Sequence, residues 1–148
     1  METVLVSQRE LKSAHRDLYH SPEGAYRIIE GDILTAVASL PGELTRLHIV
    51  ATWGDILRLA AWKKDLGIGD IFVLLKTIGV RQEDLLPFRN CDISDIFPWL
   101  YYGKHLTVLR KLCRIAKTNA ERHLRNRDAR VYCHLISEDR HGIIASSL

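Results

Sequence analysis

The feature that most constrains this chain is the amphipathic run at residues 104–125, where Leu106, Leu109, Cys113, Ala116 and Ala120 recur three or four residues apart. On a helix of 3.6 residues per turn those positions stack into one apolar stripe, and Val108, Leu112 and Ile115 widen it. Gly103 marks the turn into the run. A long helix follows, and its stripe needs other apolar elements to cover it.

The rest of the chain reads mostly as further helices. Residues 8–19 put Leu11, Ala14 and Leu18 on one face behind a Ser7 N-cap. Ser21 followed by Pro22 opens a second helix over residues 22–40, which contains Gly31 and is stopped by Pro41 and Gly42. Residues 43–66 carry Leu47, Val50, Leu57, Leu59, Ala60 and Ala61 at mostly helical spacing, with Gly54 as a break within the run. Shorter helices are predicted at residues 70–78 and 82–86, and Pro98 limits any helix starting at Asp92 to about one or two turns. Residues 131–136 are β-branched and aromatic, 138–142 supply turn residues, and 143–144 return as a partner strand. A lone hairpin is marginal in water, so it must pack on the helices. The expected fold class is therefore mainly α: a compact multi-helix domain over residues 1–148 with a small C-terminal β-hairpin at 131–146.

Charge is segregated along this chain. Residues 104–130 hold nine Lys or Arg against Glu121 and Asp128, so a chain of formal charge +3 carries +7 in one segment, while residues 1–103 are net −3. Six of those nine are arginine, whose planar fork suits bidentate contact with phosphate or carboxylate. Arg110, Arg114 and Lys117 form a polar stripe beside the apolar one, flanked by Lys111, Arg122 and Arg125. Concentrated cations gather phosphates or acidic protein surfaces. The expected function is thus a small, non-enzymatic binding or regulatory protein that docks on an anionic partner, nucleic acid ahead of an acidic protein surface. The bland reading of the same residues is a solvated helix face whose cations oppose the macrodipole near its C-terminus.

A protein-interaction adaptor of viral accessory or signalling type is the alternative. Its contact surface would be Trp99, Tyr101 and Tyr102 in the aromatic corner at 97–102, or the helix carrying Trp53 and Trp62. Burial of that corner in a core is the competing reading. Residues 69–88 also have the loose outline of a helix-turn-helix, with Arg81 and Gln82 at the start of the second helix, but Glu83 and Asp84 would meet phosphate with the wrong sign.

Chemistry-bearing motifs are sparse. Cys91, His105, Cys113, His123, Cys133, His134 and His141 invite a zinc reading, but structural zinc sites take ligands in close pairs, and the adjacent Cys133 and His134 point to opposite faces of a strand. No metal or other cofactor is expected on that spacing. Asp32, His48, Asp55, Glu83, Asp84 and His141 are candidate acids or bases in no recognised arrangement, and Cys91 pairs with His105 only if the fold joins them. Without a nucleophile elbow, a phosphate-cradling glycine loop or an H-E-x-x-H helix, no catalytic residue is assigned. Three widely spaced cysteines suit reduced thiols, and no apolar run is long enough to cross a bilayer, which together predict an intracellular protein, cytoplasmic or nuclear.

Overall fold

The computed structural model describes residues 2–6, 12–103, 105–137 and 142–147, the side chains at 13 and 17 excepted. Its strands are β1 (Glu2–Val6), β2 (Tyr26–Ile28), β3 (Arg46–Ala51), β4 (Arg130–Ile136) and β5 (Ile143–Ser146). They form one sheet in the order β2-β1-β3-β4-β5, parallel throughout except for the antiparallel β4–β5 pair. The helices are α1 (Lys12–Tyr19), α2 (Ile33–Ala38), α3 (Trp53–Ala61), α4 (Ile68–Thr77), α5 (Gln82–Leu85), α6 (Ile93–Tyr102) and α7 (Leu106–His123).

This architecture is α/β, which corrects the mainly α expectation. The antiparallel pair at the C-terminus is present, but β4 is an interior strand of a mostly parallel sheet that β1, β2 and β3 complete. The reason for the difference lies in burial. In β3, Leu47, Ile49 and Ala51 enter one core while His48 and Val50 are covered on the other side, so the segment shows no clean alternation. Strands buried on both faces read as continuous apolar runs, which helical spacing fits by accident. The extended backbone of Thr52 (φ −78°, ψ 173°) then separates β3 from α3, within the run over 43–66 that reads as helical with its break at Gly54. The expected helix over 22–40 divides likewise into a 3-10 turn at Glu23–Ala25, β2 and α2. Gly31 at φ +83° makes the break, a conformation that glycine adopts at no steric cost.

Elsewhere helices form where predicted with shifted ends, although Leu18 and Leu106, expected on the apolar stripes of the first and the long helix, are exposed. The Ser7 cap and Leu11 of the first predicted helix lie outside the described residues, as do Lys104 and residues 138–141 of the predicted turn. α6 runs ten residues through Pro98, longer than expected, because the Asp95 carboxylate accepts from the Asp92 backbone N–H (2.9 Å) at its start and Ile96 and Leu100 are fully buried. α5 is a single four-residue turn followed by a 3-10 turn at Leu86–Phe88, too short for a recognition helix. Its Arg81 N-cap pairs with Glu83 at 3.7 Å and Asp84 at 3.5 Å.

The two faces of the sheet are covered unequally. One packs Leu5, Leu47, Ile49, Val131, Cys133 and Leu135 against α2, α3 and α7, with α4, α5 and α6 adding Ile71, Leu75, Leu85, Ile96 and Leu100. The other carries a small apolar cluster of Val4, Val6, Val50 and Ile136, joined by Ala14 of α1.

Candidate functional site

α7 lies along the large core by its apolar stripe. Leu109, Leu112, Cys113, Ala116 and Ala120 are fully buried, and Asn119 locks the helix to α3 by donating to the carbonyls of Leu59 (3.0 Å) and Ala60 (2.8 Å). Arg110, Lys111, Arg114 and Arg122 are exposed, and Arg125 is exposed just past the helix end. Lys117 pairs with Glu121 at 3.6 Å, and Lys111 donates to the carbonyl of Ile78 at 3.3 Å, closing the C-terminus of α4. Among the described residues, no carboxylate lies in ion-pair range of Arg110, Arg114, Arg122 or Arg125. The fold therefore puts these four guanidinium groups on the outer side of the same segment, while two of the six predicted contacts have partners within the chain.

The aromatic corner is largely internal. Trp99 packs on Phe88 and His105, and Tyr101 stacks on Phe97, both half-buried, while Tyr102 is 68% exposed. Trp53 is buried and donates to the carbonyl of Ile93 (3.0 Å), and Trp62 stacks on His123. Cys91 turns to the Pro87 carbonyl (3.9 Å) while His105 meets Trp99, so the two do not make a thiol–imidazole pair. Asp32 is the N-cap of α2, accepting from Thr35 N at 3.0 Å, and this hydrogen bond holds its carboxyl below the usual range. Burial pushes the Cys113 thiol up to about 12, and Cys133 beside it is also raised.

On the opposite face the strands assemble a cluster that spacing along the chain did not reveal. Parallel register sets His48 of β3 beside Tyr132 and sets His134 of β4 beside Val50, so the two histidines are diagonal neighbours on one face. His15 of α1 closes over them. Exposure is 0% for His15 and His134 and 5% for His48. His48 Nδ1 and His134 Nε2 are hydrogen-bonded at 2.9 Å, His134 Nδ1 meets Ser146 Oγ at 2.7 Å, and His15 Nδ1 meets Tyr26 Oη at 2.9 Å. Among the described residues, His15 Nε2 is a buried polar atom with no hydrogen-bond partner. Tyr19 stacks on His15 and leans on both other rings, and Tyr132 stacks on His48. Lys12 and Arg16 pair with Glu23, fastening α1 to the turn before β2.

Burial disfavours the imidazolium form here. It is the largest cause in each case, and it lowers His15 to about 4 and His134 to about 3, with His48 lowered as well. The Glu2 carboxylate raises His15 and His48 in partial opposition, and Arg46 lowers His48. At neutral pH these are three uncharged imidazoles with lone pairs available. A signal for two of them was present: histidine stands second in both apolar runs, Leu47-His48-Ile49-Val50 and Cys133-His134-Leu135-Ile136.

A third feature is a cleft of about 350 Å³ at the C-terminal ends of β3 and β4, lined in part by Thr52, Trp53, Arg58, Phe97 and Ser137. Ligands of open parallel sheets commonly bind at that edge. Arg58 is already held by Asp55 (2.9 Å) and the Lys64 carbonyl (3.0 Å). No family model, curated protein sequence or solved structure matches this chain. Among the described residues, no helix is long and apolar enough to cross a membrane.

Proposed function

We propose that this protein docks on an anionic partner, nucleic acid ahead of an acidic protein surface, through the cationic side of α7 and the turn that follows it. The observation that supports this reading is the exposure of Arg110, Arg114, Arg122 and Arg125 without carboxylate partners among the described residues. A buried stripe and the Asn119 clamp hold the α7 backbone beneath them, so contact has the side chains and not the helix to order. No aromatic alternates with the cations along α7, which favours backbone phosphate contact over base stacking.

Binding of labelled duplex and single-stranded RNA and DNA at two salt concentrations tests this. Affinity is expected to fall steeply with salt, because each neutralised phosphate releases condensed counterions. Reversing Arg110 and Arg114 to Glu is expected to weaken every sequence alike and to lower the slope of log K against log salt by about 2. Absence of binding at low salt would remove nucleic acid as the partner. The adaptor reading would then be next, and its support in the structure reduces to the exposed Tyr102 ring.

A further inference from the structure

The geometry points to a metal site that the sequence spacing had argued against: one divalent first-row transition ion held by Nε2 of His15, Nδ1 of His48 and Nε2 of His134. One ring nitrogen from each of these residues lies within 4.8 Å of the other two. A tetrahedral ion with bonds of about 2.0 Å holds its ligating nitrogens about 3.3 Å apart. The His48–His134 pair at 2.9 Å is slightly tighter than that, and the widest pair is looser. Closing the site requires the rings to turn about their side-chain bonds so that the hydrogen-bonded pair opens slightly and the widest pair draws in.

The outer contacts have the arrangement that metal-bound histidines use. A ligating imidazole commonly donates its second ring N–H to an oxygen, which fixes the tautomer and turns the other nitrogen inward. With Nδ1–H of His15 donating to Tyr26 Oη, the buried and unpartnered Nε2 carries a bare lone pair. With Nδ1–H of His134 donating to Ser146 Oγ, its Nε2 is likewise bare and accepts the proton of His48 Nδ1. An entering cation replaces that one shared proton. His48 then carries its proton on Nε2, all three rings stay neutral, and no net proton is released.

The donor set selects the ion. Three imidazoles with no thiolate or carboxylate suit zinc, copper, nickel or cobalt, and not magnesium or calcium, which take oxygen ligands. Both cysteines near β4 face the other core, where Cys113 and Cys133 are fully buried. Three protein ligands leave a tetrahedral ion one open position, the pattern of catalytic rather than closed structural zinc sites. The ion would also tie α1 to β3 and β4.

The experiment uses the full chain, stripped with a chelator and titrated with zinc and separately with cobalt. One equivalent of zinc is expected to raise the melting temperature, magnesium to leave it unchanged, and cobalt to develop the visible absorption of a four-coordinate nitrogen site. His15→Gln is expected to lower zinc affinity by at least ~100-fold, and Tyr26→Phe, which removes only the outer contact, by ~10- to 100-fold. His134→Ala serves as a third variant if circular dichroism shows it folded, and His15 lies on the covering helix, where a substitution leaves the sheet intact. Zinc binding that His15→Gln leaves unaltered, or no stoichiometric binding by the folded wild-type chain, would overturn the proposal.

Discussion

The two faces of this sheet are built from the same strands by opposite means. Alternate residues of β3 and β4 give Leu47, Ile49, Val131, Cys133 and Leu135 to one side, where dispersion and burial hold α3 and α7 in place. The intervening residues give His48, Tyr132 and His134 to the other, where hydrogen bonds, ring stacking and one eight-residue helix do the covering. Apolar contact carries neither a titrating group nor a metal donor. A buried imidazole cluster carries both, so the second face can respond to conditions that leave the first untouched.

Acid is the sharpest way to separate the two faces. An unfolded histidine titrates near its ordinary value of 6.5, whereas His15 and His134 are held at about 4 and about 3 in the fold. Above pH 6.5 both states are neutral and the stability is fully present. As pH falls below 6.5 the unfolded chain takes up protons that the folded chain refuses, so stability drops through that window, down towards the folded values. Each pH unit over which one such histidine is protonated in the unfolded chain alone removes about 1.4 kcal/mol. Among the described residues, the groups that face the cluster are Glu2, Tyr26, Arg46, Tyr132, Ser146 and, from α1, Tyr19. Glu2, itself held low mainly by its hydrogen bond from Ser21, acts in the same direction below its ordinary value of 4.5. Urea unfolding of chelator-treated protein from pH 7 to pH 4 is expected to show this loss. The pair His48→Leu with His134→Leu should make the profile shallower, because it removes two of the three histidines that only the unfolded chain protonates and leaves His15. An unchanged slope in the double variant would break the comparison from the polar side.

The aliphatic face yields a pH-independent loss instead. Ile49→Ala removes a fully buried side chain between the sheet and its helices and is expected to cost about 2–5 kcal/mol by urea midpoint, equally at pH 7 and pH 5. A cost that varies with pH would mean that the two faces are coupled through β3.

The contrast also explains which parts of the molecule were legible in the sequence. α7 was readable because its apolar and cationic stripes are set by contacts within one helix, so periodicity carries the information. The β4–β5 pair was readable from β-branched residues flanking a turn. β1 and β3 were not, because strands covered on both faces lose the alternation that would mark them, and the three residues of β2 are too few to show a period. The histidine cluster followed the same fate. His48 and His134 are 86 residues apart and meet only through the register of a parallel sheet, so a search for close ligand pairs passes over them. Once β3 is read as helix, nothing along the chain brings them together.

The smallest expected effect belongs to α7, and its smallness is informative. Arg114 is exposed and without an ion-pair partner among the described residues, and Thr118 donates to its backbone carbonyl, not to its side chain. Arg114→Glu should therefore change folding stability by no more than about 0.5 kcal/mol, the range of surface positions that lack a structural role. A residue that contributes nothing to the fold yet keeps a guanidinium beside Arg110 and Lys111 is suited to contact outside the chain. If thermal or urea unfolding instead shows a loss well beyond that range, the Arg114 side chain is serving the helix itself, and the solvated-face reading of α7 regains its ground.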